Sequence, residues 1–332
     1  MPKTHEITIV GGGVAGLALA AALDPELWRV TIFEQREKLP TVESAMGMWP
    51  IAQKALAYLG LHDLLNAAVP CKKVVISTAD GRPLLALRTN IKLLTRPALA
   101  QALTDRLPET VKVEHLRIVD IGDLPGDLVI GADGVHSRVR KWHWGTNAHG
   151  LDTWVVRGTA AIPPMVGRLT EWWGEGMLFG MSPNMGDSTN WYATVRQNPG
   201  LPAEALEEIR FTHRDYPRAV QRVLAATDPE QAVVHRVFTA PLTTSLVRGR
   251  AVLIGDAAHG MTPNVARGAC ESLVDAVTLA HELNNRGIHD GPKAYQRQRL
   301  VRGQGVRVGA SLMTAVQQSP TLHKIAGVFG PS

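Results

Sequence analysis

The stretch Ile7–Glu34, ITIVGGGVAGLALAAALDPELWRVTIFE, decides how the rest of the chain is read. Ile7 to Val10 are mostly β-branched and predict a buried parallel strand, and Gly11, Gly13 and Gly16 follow at G-x-G-x-x-G spacing. Gly11 allows the tight turn. Gly13 removes a side chain where a pyrophosphate would approach, and Gly16 lets a helix over Val14–Leu23 close onto the strand. Ala15 lies in the first turn of that helix, whose free N–H groups and partial positive charge favour phosphate. A second strand, Arg29–Phe33, ends at Glu34, about 20 residues on, where a carboxylate can accept ribose hydroxyls, with Arg36 just beyond. Glycines alone are weak evidence; strand, glycines, helix, strand and acid in that order mark a dinucleotide-binding βαβ unit.

Working outward, 332 residues suit two domains, and 45% hydrophobic residues suffice for real cores. Lys and Arg exceed Asp and Glu by 35 to 30, a net charge of +5. The surplus is scattered, with no basic arm and no nucleic-acid reader motif, so nucleic acid is not expected as a partner. Its field could still draw in anionic nicotinamide phosphates or carboxylate substrates. The two cysteines, Cys71 and Cys270, make neither a disulfide framework nor a metal spacing, which predicts a reducing compartment and no metal site. The N-terminal residues run directly into the first strand, leaving no room for a cleaved leader. No apolar stretch reaches the ~18 residues that span a bilayer. The expectation is a soluble, cytoplasmic chain without stable membrane insertion.

Helical spacing begins at about Ile51 and ends at Gly60. Val74–Leu87 form two apolar runs around Asp80-Gly81, a hairpin signal. A helix starts with Pro97 in its first turn and leaves Arg96 at a mouth. Leu128–Ile130 predict a strand running into GADG (131–134). Residues 151–240 alternate strand-like segments with one helical stretch, Ala203 to about Ala226. RAVLIGDAAH then restores α/β character, and Leu273, Ala276, Val277, Ala280 and Leu283 share a face of the next helix. A last helical region covers Pro292 to about Gln318. The expected fold class is α/β. A mostly parallel GxGxxG sheet is assembled from residues 1–70, 93–149 and 241–332, and an antiparallel-sheet substrate domain is inserted from 71–92 and 150–240.

Three distant segments each end a predicted strand in small residues plus an acid: GGGVAG with Glu34, GADG, and GDAAH (255–259). A flavin dinucleotide is long enough to need all three. Here GADGVHSRVR, LIGDAAHGMTPNVARGACESLVDA, WVVRG, WGEGMLFGMSP and YQRQRLVR resemble the group A flavoprotein monooxygenases with the para-hydroxybenzoate hydroxylase-like fold, over nearly the whole chain. The resemblance implies FAD pyrophosphate on Gly11, Gly13 and Gly16 and adenosine ribose on Glu34, with Ala15 and Arg36 also cofactor-binding. It puts Arg96 beside the phosphates or ribityl chain, and Asp256 on the ribityl hydroxyls. Asp133 and Gly134 would serve both FAD and the access path of NAD(P)H, and the loop from Pro263 through Arg267 to Gly268 would lie along the flavin ring.

For single residues, bland readings stand beside these. Asp133 and Asp256 could be helix caps, His259 structural, and Cys270 a small buried hydrophobe. Trp173 precedes a strand whose Met177, Phe179 and Met181 share one face; the stripe is either core packing or an apolar roof over the flavin for an aromatic substrate. The chain departs from the family pattern where the meander between Val111 and Gly126 is shortened, where Ala266-Arg267-Gly268 replaces G-Q-G, and at Val274. Arg267 would favour the reduced flavin anion if it faced the ring, whereas the Cβ of Ala266 could send it outward. No catalytic side chain is assigned.

The implied activity is an FAD-dependent monooxygenase that uses NAD(P)H and O2 to hydroxylate or epoxidise a small aromatic or unsaturated substrate through a flavin C4a-hydroperoxide. Alternatives are a flavin-dependent oxidase or reductase without oxygen insertion, or a non-catalytic flavin-binding protein. An NAD-dependent dehydrogenase is disfavoured by the second and third motifs.

Overall fold

The computed structural model describes residues 4–174, 176–263 and 266–319. The chain runs β1 (His5–Val10), α1 (Val14–Ala22), β2 (Trp28–Phe33), β3 (Ala45–Met48), α2 (Pro50–Tyr58), α3 (His62–Ala67), β4 (Val69–Thr78), β5 (Pro83–Thr95) and α4 (Arg96–Thr104). It continues through β6 (Lys112–Glu114), β7 (Leu128–Gly131), α5 (Arg138–Trp144), β8 (His149–Ala160), β9 (Arg168–Gly174), β10 (Met177–Pro183) and β11 (Thr189–Val195). Then come α6 (Pro202–Thr212), α7 (Arg218–Ala225), β12 (Val233–Thr239), β13 (Val247–Arg248), β14 (Ala251–Leu253), α8 (Asp256–His259) and α9 (Gly268–Gln318).

The first sheet has the order β13-β14-β7-β1-β2-β6, and its central strands are parallel. Val10 stands opposite Phe33 and Gly131, and Gly131 opposite Leu253, so strands far apart in sequence finish on one line. Ile9, Ile32, Val129, Ile130 and Val252 are fully buried, as expected where helices cover both faces of a parallel sheet. Close approach explains two glycines. A Cβ on Gly16 would sit 2.0 Å from the Gly11 carbonyl oxygen, and one on Gly11 2.4 Å from that of Ala132.

The second sheet runs β12-β8-β11-β10-β9-β4-β5-β3 and is antiparallel except for the β4–β9 pair. It takes in β3 and the end of β5, residues that the sequence assigns to the first domain. The helical stretch expected from 203 to 226 is two helices, because His213 closes α6 and Pro217 opens α7. The long α9 changes direction at Gly287, whose φ of 69° is non-helical. Arg299 bonds Asp275, 24 residues earlier. An unbroken helix would hold those two about 36 Å apart. The two helices read from sequence are therefore present, folded back on each other.

The two faces of the second sheet differ. Phe179, Met181, Trp172, Trp191 and Val156 pack on Ala205, Leu206 and Ile209 of α6 and Val220 and Val223 of α7. The Phe179 ring stacks on Trp191 at 5.8 Å. Trp173 and Leu178 point the other way, with Ile76, Tyr192 and Met313 of α9, as strand pleating demands.

Phe179→Ala should therefore cost about 3–5 kcal/mol, the range for deleting a fully buried aromatic ring. Urea denaturation measures this, and an unchanged midpoint would contradict the assigned face.

Candidate functional site

The parallel register places four loops side by side at the C-terminal edge of the first sheet: Gly11–Gly13 after β1, Glu34 after β2, Ala132–Gly134 after β7 and Gly255–Asp256 after β14. That edge is where open α/β sheets receive ligands. Glu34 Oε2 accepts the Gly12 N–H at 2.8 Å, and Oε1 accepts the Arg36 N–H at 2.9 Å and its Nε at 3.3 Å. These bonds orient the carboxylate and leave it acceptor capacity. A Cβ on Gly13 would meet nothing within 4 Å, unlike one on Gly11 or Gly16. Chain packing does not require glycine there, and the backbone at Gly13 faces open space. Gly13 caps α1 without any side chain, leaving the helix N–H groups open to an anion.

Asp133 divides its two oxygens. Oδ2 caps α5, accepting N–H groups from Arg138 at 2.6 Å and Val139 at 3.2 Å, while Oδ1 is buried without a partner. Burial raises the carboxyl's pKa against these hydrogen bonds. Capping and ligand binding are thus compatible, one oxygen each. Arg140, which the sequence reading passed over, is buried and donates from Nη1 to the Ala257 carbonyl at 2.8 Å, joining this turn to the next.

Asp256 is exposed to solvent, yet its pKa is raised by surrounding protein, with His259 and Arg96 opposing the rise. A side chain that is both enclosed and accessible lines a hollow. A Cβ on Gly268 would lie 3.7 Å from Asp256 Oδ1, so the start of α9 borders the same space. Arg96, at the first position of α4, faces Asp256 and Arg36 electrostatically.

Behind this edge lies a charge network that the sequence did not disclose. Asp275 Oδ2 accepts the Gly255 N–H at 2.8 Å and lies 2.7 Å from His259 Nε2, while Oδ1 accepts Arg299 Nε at 2.6 Å. Arg299 Nη2 continues to Glu271 Oε2 at 2.5 Å, and Glu271 Oε1 takes Arg267 Nη2 at 2.6 Å. Burial would raise the Asp275 carboxyl, but His259 and Arg299 outweigh it and hold the pKa below its usual value. His259 is therefore a structural partner. Arg267 is tied to Glu271 and lies over the Trp49 ring at 5.7 Å, next to Ala266 with its positive φ of 47°. Cys270 bonds the Gly47 carbonyl at 3.2 Å, and burial pushes its thiol up to about 11, which removes it as a nucleophile. Pro263 is exposed and accepts the Ala266 N–H at 2.9 Å; Asn264 and Val265 of that loop, and Glu175 before β10, lie outside the described residues.

The apolar roof needs correction. Phe179 and Met181 belong to the core under α6 and α7, because the pleat turns them away from the first sheet. Trp173 lies on the opposite face and Met177 is half-buried at the strand's start. On the Trp173 face a buried carboxyl appears instead: Glu171 accepts the Tyr192 hydroxyl at 2.6 Å and Trp173 Nε1 at 2.8 Å. Burial raises the Glu171 pKa, and burial together with Glu171 raises that of Tyr192 well above its ordinary value. Neither residue stands in a recognisable motif. Among the described residues, no group of three or more His, Cys, Asp or Glu could hold a metal ion, and no helix is long and apolar enough to cross a membrane.

Residues 122–307 match the family described as FAD binding domain, and residues 9–41 match the NAD(P)-binding Rossmann-like domain. Aurachin C monooxygenase/isomerase of Stigmatella aurantiaca is 30% identical over 336 residues, covering 89% of this chain and 84% of the relative. The 3-amino-4-hydroxybenzoate 2-monooxygenase of Streptomyces cremeus is 29% identical over 331 residues, covering 89% and 83%. In fold, Klebsiella pneumoniae HpxO complexed with FAD and uric acid matches with a TM-score of 0.85 at 22% identity, over 97% of this chain and 91% of that one. The chain belongs to the FAD-dependent monooxygenases.

Asp275→Asn should destabilise the protein by about 3–5 kcal/mol, because it removes one of the two carboxylates that hold the buried Arg299 guanidinium. A carboxyl with a depressed folded pKa adds stability above its unfolded pKa and loses it as pH falls through the folded value. The melting temperature of the variant should thus fall less steeply into acid than that of the wild type. Parallel acid limbs would remove Asp275 from this role.

Proposed function

We propose that the four loops hold FAD, with its pyrophosphate at the N-terminus of α1 over Gly13 and Ala15, its adenosine ribose on Glu34 beside Arg36, and its ribityl hydroxyls on Asp256. The observation that carries this reading is the line of strand ends joining β14, β7, β1 and β2. The open space at Gly13 and the unpartnered Asp133 Oδ1 fit a ligand rich in phosphate oxygens and hydroxyls. Arg96 supplies a cation near the phosphates, and Gly134 and Gly268 leave room along the same edge. When bound, FAD supplies the transfer of electrons from NAD(P)H to O2 and of one oxygen atom to the substrate.

The protein's part is to bind, orient and exclude water. The substrate in this reading is a small aromatic or unsaturated molecule. It lies against the face of the second sheet that carries Trp173 and Leu178, where Tyr192, held by Glu171, offers a fixed hydroxyl for orientation. A single polar group in an apolar wall is the usual composition of such a pocket. Relatives whose names specify an aminohydroxybenzoate or urate as substrate support this class. The chain would act in the cytoplasm, where its two buried thiols stay reduced.

Asp256→Ala should weaken FAD binding by about 1.5–3 kcal/mol through loss of a charge-assisted hydrogen bond. Gly13→Ala should likewise weaken FAD binding while leaving the melting temperature of the FAD-free protein unchanged, since its Cβ meets no protein atom. Fluorescence titration with FAD reads both. Purified protein that is colourless and takes up no added FAD would end this reading.

A further inference from the structure

The second half of α9 has two unlike faces. Inward, Met313 packs with Trp173, Leu178 and Tyr192, Thr314 Oγ1 donates to Thr262 Oγ1 at 2.8 Å, and Gln318 Nε2 donates to Thr153 Oγ1 at 3.1 Å. Outward stand Val301, Val308, Leu312 and Val316. At about 100° per residue these four fall within an arc of about 80°, one stripe along roughly five turns. Val301 is 80% exposed and Leu312 62%, so the stripe stands out from the surface instead of lining a groove. Gly305, Gly309 and Ala315 are exposed beside it and add no polar group. Arg297 and Arg302 are exposed on its two flanks and pair with no carboxylate among the described residues. The sequence has no Asp or Glu after Asp290. Asp152, next to the Thr153 that Gln318 bonds, is already paired with Arg236 at 3.2 Å.

We propose that this outward face of α9 docks on an anionic lipid surface, lying in the headgroup layer without crossing it. An aliphatic stripe edged by arginines, on a segment without acids, has the composition of an interfacial helix. Its apolar side chains enter the acyl boundary while the guanidinium groups reach lipid phosphates. The negative surface potential of a cytoplasmic leaflet attracts such residues. A second copy of the chain would present the same acid-free face, with no carboxylate for Arg297 or Arg302 to meet. A protein partner is typically gripped by aromatic anchors seated in pockets, and the stripe has neither ring nor pocket. The inward face of the same turns borders the wall that the monooxygenase reading gives to the substrate. On that reading, an apolar substrate dissolved in the lipid lies about one helix diameter, 10–12 Å, from the wall.

The test uses the FAD-loaded full chain and cosedimentation with phosphatidylcholine vesicles, with and without phosphatidylglycerol. The wild type should bind the mixed vesicles about tenfold or more tightly than phosphatidylcholine alone, and added salt should weaken that binding. Replacing both flanking arginines, Arg297→Gln with Arg302→Gln, should weaken it by about thirtyfold, a factor of about five for each charge. Leu312→Asp should abolish it, and so should Val301→Asp at the most exposed position of the stripe. Both variants should keep the wild-type melting temperature and FAD affinity, because their side chains face solvent. Equal binding to the two kinds of vesicle overturns the proposal, as does unchanged binding in both Asp variants. A wild type that is dimeric in sedimentation velocity and becomes monomeric as Leu312→Asp overturns it in favour of a second copy. A monomer that ignores both kinds of vesicle overturns it as well and leaves the face to a protein partner. If the protein takes up no FAD, the monooxygenase reading fails separately, and vesicle binding of the FAD-free chain still decides the docking.

Discussion

The Asp275 carboxylate is the constraint on which the site depends. It holds the backbone N–H of Gly255, the imidazole of His259 and the guanidinium of Arg299 at once. Gly255 bends with φ 60° and ψ −138°, a conformation open to glycine, and the next residue is Asp256. The direction in which Asp256 faces is thus set by an acid twenty residues downstream of Gly255. Because Arg299 lies beyond the reversal at Gly287, the same contact clamps the two halves of α9 together. Tyr295, donating to the Leu253 carbonyl at 2.9 Å, fastens that second half to the end of β14. A buried charge network of this kind contributes little net stability but penalises any arrangement that leaves one member unpaired.

Buried polar groups near the strand edge are of two kinds. Behind the strand edge, Asp275, Glu271, Arg299 and Arg267 satisfy one another. In front of it, Asp133 Oδ1, Arg157 Nε and His235 Nδ1 are buried without partners. Buried polar groups in folded proteins are nearly always hydrogen-bonded, and these three share the unpaired state with atoms elsewhere, among them Trp191 Nε1 in the core under α6 and α7 and His259 Nδ1 behind the edge. Packing explains the tight contacts of Gly11 and Gly16, whereas Gly13 faces open space.

The second sheet shows how one strand serves two purposes. In β10, Phe179 and Met181 seal the core against α6 and α7, and Leu178 faces the opposite side with Trp173 and Tyr192. Gly180 lies between, and a Cβ there would sit 2.2 Å from the Tyr192 ring. The glycine lets Tyr192 lie across β10, with its hydroxyl on Glu171 of β9. Sheet packing and the placing of a polar group on this face of the sheet are therefore the same event.

Local chemistry determined much of this protein. Glycine spacing after β1, Asp80-Gly81 between β4 and β5, Pro97 at the head of α4 and the small-plus-acid turns after β7 and β14 depend on neighbours within a few residues, and each was legible in the sequence. So was the αβ architecture, since hydrophobic periodicity reports burial directly. The face that a stripe presents was not legible. The alternation at Met177, Phe179 and Met181 is identical whether it points at helices or at a pocket, and the layer across from it decides. Nor could spacing reveal that Asp275 pairs with Arg299, that Glu271 restrains Arg267, or that Arg157 and His235 lie together on one face without partners. Such relations arise when the chain brings distant residues within hydrogen-bond range, and only the tertiary structure determines which atoms then remain unpaired.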